Sequence, residues 1–220
     1  MTVATVINPN TPYGLQPLTR LDGAAFTGRT RKYWVPQAQT NALYVGDPVI
    51  KVNTGGDKNG IMAVDLASAG ASDLVTGVVV GFLGTATAGS GNTPSLFGLS
   101  GTPGPCYRPA TTAVDWYVVV CDDYSTEWII QADANYGGVT GTAIPLDHVG
   151  YNIELKSGTG SAYTGLSGWQ ADSNATLTTN TGQLNIIGFY TDPSNAALAQ
   201  YQKLIVRLNQ TTEVPPSAGV

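Results

Sequence analysis

The chain is poor in charge. Only 11% of its 220 residues are charged, less than half of the roughly 25% found in an ordinary soluble domain. The mean hydropathy is nevertheless only +0.01, so uncharged polar residues and glycine take the surface positions that Lys and Glu usually occupy. Few charges give little repulsion between copies. The composition is therefore typical of secreted β-proteins and of subunits that work inside an assembly.

Cysteine, a leader segment and long apolar runs are also scarce or missing. Cys106 and Cys121 are the only cysteines, too few for a disulfide framework, which leaves two free thiols or one bridge as alternatives. The N-terminus has no pattern typical of a signal peptide, and no apolar run reaches the roughly 18 residues of a membrane span. A pI near 4.6 argues against direct nucleic-acid binding, because acidic proteins repel phosphate.

Residues that could support catalysis or bind a metal are few. His148 is the only histidine, which excludes metal sites built from two or three imidazoles. The segment GLSGW at 165–169 resembles a nucleophile elbow only superficially, because it lies in a Gly-rich stretch rather than between a strand and a helix. Asp122, Asp123 and Glu127 form the densest acidic cluster; it is either a solvated turn or a calcium site that lacks the usual spacing. We therefore predict no enzyme and no cofactor.

The order of apolar and polar residues predicts strands. Segments rich in Val, Ile, Tyr, Trp and Thr are separated by Gly, Pro, Asn and Asp, and they lie at Arg29–Val35, Ala42–Val45, Pro48–Val52, Ile61–Leu66, Leu74–Phe82, Trp116–Cys121, Glu127–Ala132, Tyr151–Leu155, Leu184–Tyr190 and Lys203–Leu208. The one helix candidate is Pro193–Gln200. We predict an all-β, jelly-roll-like sandwich with long Gly/Ser/Thr-rich loops at Gly84–Pro105 and Ser157–Gly182.

The ends of the chain differ from its middle. Residues 1–19 contain Pro9, Pro12 and Pro17, which disfavour a helix and remove backbone donors, so we predict an extended N-terminal arm that a neighbouring subunit orders. A single β domain is expected over 20–210, followed by a C-terminal tail at 211–220.

The cations are concentrated near the N-terminus. The segment Pro12–Val52 holds five of the ten cations and only two of the fifteen acids. Four of these cations, Arg20, Arg29, Arg31 and Lys32, form a candidate site for binding a capsid protein or a neighbouring subunit. On a strand, Arg29 and Arg31 project to one face, and their planar guanidinium groups suit bidentate contact with carboxylates. The alternative is a solvated strand edge whose charge blocks unwanted pairing.

An ordered series of motifs resembles the capsid cement (decoration) proteins of short-tailed bacteriophages and their relatives. The series is PYGLQPLTRLDGAAFTGRTRKYWVP, ALYVGDPVIKV, VTGVVVGF, YRP, VVVCDD, TGLSGWQADS and LNIIGFYTDPSN, and it spans most of the chain. The resemblance implies a jelly-roll subunit on the outer surface of the virion head, present in the host cytoplasm during assembly. Its partners would be the major capsid protein and copies of itself, as a dimer or trimer, with no nucleic acid, membrane, cofactor or catalytic residue involved.

Two other classes of function stay open at the level of sequence. One is a glycan-binding β-sandwich or tail-fibre or spike module, which would use exposed Trp and Tyr. The other is a glycan hydrolase that would use two of the carboxylates Asp122, Asp123 and Glu127. Aromatic residues at the starts of predicted strands are better explained by core packing.

Overall fold

A computed structural model describes residues 8–57, 59–70, 73–86, 106–110, 113–177, 180–193 and 195–212. Within these ranges the chain forms strands and two short 3-10 helices but no α-helix, which confirms the all-β prediction. The strands are β1 Gln16–Arg20, β2 Arg31–Val35, β3 Leu43–Tyr44, β4 Pro48–Gly56, β5 Met62–Leu66, β6 Gly77–Ala86, β7 Tyr107–Arg108, β8 Asp115–Cys121, β9 Thr126–Gln131, β10 Asn152–Lys156, β11 Gln170–Leu177, β12 Leu184–Phe189 and β13 Lys203–Leu208. The 3-10 helices are Tyr136–Gly138 and Leu146–His148.

Five strands close into a small barrel in the order β2-β5-β4-β6-β8. Neighbouring strands of the barrel pair in antiparallel orientation, except β2 and β5, which are parallel. Side chains alternate across each strand, so Val79 and Val120 fill the barrel interior while Val78 and Cys121 face outward into a second, larger core. The continuous apolar run Val78–Val80 is therefore covered on both sides, with Val79 in the barrel core and Val78 and Val80 on the larger core.

The second layer is a six-stranded antiparallel sheet in the order β1-β9-β13-β12-β10-β11. In β13, Leu204, Val206 and Leu208 are buried and alternate with half-buried residues, because successive side chains of a strand point to opposite faces of the sheet. The large core on this sheet contains Trp128 and Trp169 together with the outward-facing barrel residues. Strands β3 and β7 form a separate two-stranded sheet, which shares no strand with the barrel or the six-stranded sheet.

The N-terminal arm departs from the prediction. Residues 16–20 form β1, which pairs with β9, and Leu15 is fully buried in the large core. Asn8 is also buried, and its amide nitrogen donates to the carbonyl oxygens of Ala196 and Gln200 at 3.0 Å each. The expectation that a partner orders this segment is therefore wrong for residues 8–19; residues 1–7 lie outside the described ranges.

Two local predictions in the second half are also wrong. The predicted loop Ser157–Gly182 contains strand β11, whose polar sequence suits the outer position that it takes beside β10. The predicted helix Pro193–Gln200 is a series of turns in its described residues. There, the side chains of Asn195 and Gln202 bind the carbonyl oxygens of Tyr190 and Ala197, which replaces helical backbone bonding.

Other predicted segments are only partly described. Most of the predicted loop Gly84–Pro105 and all but two residues of the tail 211–220 lie outside the described ranges. Within those ranges, no helical segment reaches the length and hydropathy needed to span a bilayer.

Candidate interaction surface

Arg29 and Arg31 face one cleft at the edge of the barrel. Strand β2 begins at Arg31, so Arg29 lies in the segment before it. The two arginines line a cleft of about 440 Å³ together with Asp122, Asp123 and Tyr124, from the turn between β8 and β9. Their side chains are 62% and 72% exposed, respectively, so the guanidinium groups of both are accessible to a partner.

Two acidic side chains of the chain itself lie behind these arginines. The Nε atom of Arg31 is 3.3 Å from Oδ2 of Asp122, and the same oxygen accepts a hydrogen bond of 2.8 Å from the hydroxyl of Tyr33. Nη1 of Arg29 is 3.8 Å from Oδ2 of Asp123. The Asp122 and Asp123 side chains are only 11% and 14% exposed. The cations therefore already have carboxylate neighbours, which sequence analysis did not pair with them.

Asp123 is held in its charged form. Burial by itself would raise its pKa, but hydrogen bonds from the backbone and hydroxyl of Ser125 and the charges of Arg20 and Arg29 outweigh burial, so the pKa lies below its ordinary value. Arg20 is only 19% exposed and lies 3.0 Å from Asp22 and 3.7 Å from Asp123. Of the four cations in the predicted site, Arg20 is thus mostly buried and forms ion pairs within the domain.

Lys32 points to the other side of β2, as alternation predicts. Its Nζ atom lies 4.7 Å from the ring centroid of Tyr117, a cation–π distance. A second cleft of about 340 Å³ is lined by Arg31, Lys32, Lys51, Tyr33, Gly60, Ile61 and Met62. Three of these residues are cationic and none is acidic. Arg31 lines both clefts, so the two clefts adjoin at this residue.

Large apolar side chains are exposed on the same surface. Tyr124 is 56% exposed and lines the first cleft, while Met62 is 45% exposed and lines the second. Leu21 is 54% exposed, and its backbone N–H donates to the carbonyl oxygen of Ser125, next to Tyr124. We name as the basic surface the set Arg29, Arg31, Lys32, Lys51, Met62 and Tyr124, which line the two clefts. Sequence analysis did not identify the apolar residues of this surface. In the sequence, only their positions near the cationic segment or the acidic turn pointed to them.

The acidic cluster considered as a calcium site is divided between different partners. Asp122 and Asp123 face the arginines, whereas Glu127 accepts a hydrogen bond from the hydroxyl of Thr19 on β1. In the described part of the chain, no group of three or more His, Cys, Asp or Glu side chains is placed to hold a metal ion.

The other residues singled out by sequence have structural surroundings. His148 stacks on Tyr151 with ring centroids 4.5 Å apart and meets the edge of the Tyr136 ring. Cys106 and Cys121 are free thiols, the first exposed and the second buried. Three tryptophans, Trp116, Trp128 and Trp169, are buried and Trp34 is half-buried, so they pack in the protein rather than form an exposed platform for a sugar.

Comparisons with protein-family models, curated proteins and solved structures gave no significant match.

Proposed function

We propose that this protein is a capsid cement, or decoration, protein that binds the outside of an icosahedral phage head and bridges neighbouring major capsid proteins. The observation that carries the proposal is the basic surface. Exposed Arg, Tyr and Met side chains together are typical of the centres of protein–protein interfaces, and here they surround two adjoining clefts.

The motif series described above supports the same proposal, because it resembles that of cement proteins over most of the chain. It implies a jelly-roll subunit, of which the all-β character and the two packed β layers are compatible features. The jelly-roll connectivity, self-association as a dimer or trimer, and location on the virion surface belong to this proposal.

The role has a direct physical basis. A ligand that binds an assembled lattice more tightly than its free subunits stabilises the lattice by mass action. Many copies that each bridge two neighbours add their contributions through multivalency. Each contact can then be weak, which suits a surface whose cations are largely exposed to solvent.

The test uses purified protein and heads prepared without it. We expect the protein to comigrate with the heads in gel filtration and to raise the temperature at which they release DNA. Protein that stays in the free fraction at every ratio tested, with no change in head stability, would refute the proposed function. A glycan array run in parallel tests the alternative of a sugar-binding module.

A further inference from the structure

We propose that Asp122 is a positioning residue that orients Arg31 to bind carboxylates of an acidic partner. The inference deepens the proposed function, since it names the chemical class of partner that the basic surface takes. It stands on the geometry of three side chains, Tyr33, Asp122 and Arg31.

The three side chains form a chain of contacts from the barrel interior to solvent. Tyr33 is 4% exposed and belongs to the barrel core. Its hydroxyl donates to Oδ2 of Asp122, and that oxygen faces Nε of Arg31 at 3.3 Å. Exposure of the side chains then rises from 11% at Asp122 to 72% at Arg31. Packing in the barrel core fixes Tyr33. Through its hydrogen bond to Asp122, Tyr33 therefore restricts the positions that the Arg31 side chain can take.

This arrangement leaves part of the guanidinium group available. An arginine has five N–H donors, of which one is on Nε and four are on the two Nη atoms. The Nε atom of Arg31 lies 3.3 Å from Asp122, and among the described residues Arg31 makes no hydrogen bond and no second ion pair. Two parallel Nη–H groups match the two oxygens of a carboxylate. An incoming carboxylate can therefore bind Arg31 without displacing Asp122.

The neighbouring charges favour an acidic partner. Lys32 and Lys51 line the second cleft beside Arg31, and Arg29 lines the first. The carboxylates of Asp122 and Asp123 lie behind the arginines and are mostly shielded from solvent. A partner approaching from solvent thus meets cations first, which favours an acidic segment of a protein.

Orientation and simple charge attraction predict opposite effects for one substitution. Asp122→Asn removes one negative charge, so attraction alone would tighten the binding of an acidic peptide. The amide of Asn keeps an acceptor oxygen but loses the charge that attracts Nε of Arg31, so positioning predicts weaker binding. Asp147→Asn makes the same change in net charge at an exposed residue on a 3-10 helix outside the basic surface, and it serves as the matched control.

The experiment titrates the full-length protein with a labelled oligoglutamate peptide at low ionic strength, with oligoglutamine as the neutral probe. We expect oligoglutamate alone to bind, Asp122→Asn to weaken its binding about three- to fivefold, and Asp147→Asn to leave it equal or slightly tighter. Arg31→Lys keeps the charge but loses the paired Nη donors, and it should weaken binding by a similar factor. Arg207→Lys is its control on β13.

The outcomes separate this inference from the proposed function. Binding that tightens or stays equal in Asp122→Asn, or wild-type protein that does not bind oligoglutamate, overturns the inference whatever the result with heads. Failure to bind heads together with the expected peptide series refutes the cement role alone. Thermal unfolding of each variant establishes that it is folded. If Asp122→Asn does not fold, Tyr33→Phe is the second variant: it removes the hydroxyl that donates to Asp122 without changing the charge, and it should also weaken binding.

Discussion

The barrel and the six-stranded sheet differ in what their polar residues do. On the sheet side, buried amides tie segments together: Gln183 is fully buried, donates to the carbonyl oxygens of Ser68 and Asp73, and accepts from the backbone of Gly70 and Leu155. On the barrel side, charged side chains concentrate at the exposed edge of the barrel, at the basic surface. This edge is called the rim below. We therefore expect substitutions in the sheet to lower stability, and substitutions at the rim to leave stability nearly unchanged and, under the proposed function, to change binding.

Acidic residues show the same contrast. At the barrel rim, Asp123 lies beside arginines and its pKa is lowered despite partial burial. On the sheet, Glu154 lies directly opposite Asp172 across β10 and β11. Partial burial and the negative charges of Asp172 and Asp73 raise the pKa of Glu154. Ion pairs thus offset the acidic charge at the rim, whereas on the sheet Glu154 and Asp172 form a like-charged pair across two strands.

The largest effect is expected in the core beneath the sheet. Leu15→Ala should lower the free energy of unfolding by about 4 kcal/mol, because it opens a cavity at a fully buried site. Chemical denaturation measures the change, and Leu198→Ala, at a side chain that is 76% exposed, is the control. A near-zero effect at Leu15 would restore the prediction of an arm independent of the domain.

A similar or slightly smaller loss is expected from breaking the amide network. Gln183→Leu removes two donors and two acceptor contacts and leaves buried backbone groups without partners, which should cost about 3 kcal/mol. Gln37→Leu at an exposed position is the matched control in the same denaturation series. Equal stability of the two variants would contradict the view that buried amides stabilise the sheet side.

Asp47, between β3 and β4, should make the stability of the fold depend on pH. Burial, offset in part by hydrogen bonds from Ser167 and the backbone of Tyr44, raises its pKa from 3.8 to about 6, and its Oδ1 has no hydrogen-bond partner in the described residues. The folded state therefore prefers the protonated acid. Its stabilising contribution is full below pH 3.8 and is lost as pH rises to about 6, a change of about 3 kcal/mol.

Asp47→Asn should abolish that fall in stability, because the amide does not titrate. Denaturation of both proteins between pH 4 and pH 7 measures the difference, with Asp147→Asn as the exposed control. An unchanged pH profile in Asp47→Asn would show that the titrating group is elsewhere.

The smallest effect on folding is expected at the rim. Arg29→Ala with Arg31→Ala should leave the free energy of unfolding nearly unchanged, since each exposed ion pair contributes under about 1 kcal/mol. The same double variant should be released from heads at lower salt than the wild type. Unchanged retention across the salt series would support the alternative of a charged strand edge without a binding role.

Local sequence patterns predicted most of the strands, but they did not predict every strand pairing or which polar side chains are buried. Lys203–Leu208 was predicted with the bounds that the structure has, because its apolar and β-branched residues are flanked by the polar residues Gln202 and Asn209. Strand β11 was missed because its polar and small residues are typical of loops, and its pairing with β10 compensates for that weak propensity. Arg108 further shows this limit: it is fully buried among the backbone carbonyls of the 36–41 segment, yet in sequence nothing distinguishes it from exposed Arg29.

The sequence by itself determined the all-β class and the position of the cationic segment, because strand propensity and charge are properties of neighbouring residues. Only the tertiary structure decided which carboxylates face those cations. Tyr33 and Asp122 are 89 positions apart, and they meet because β2 pairs with β8 in the closed barrel. Side chains this distant in sequence are brought together by strand pairing, which local pattern does not specify.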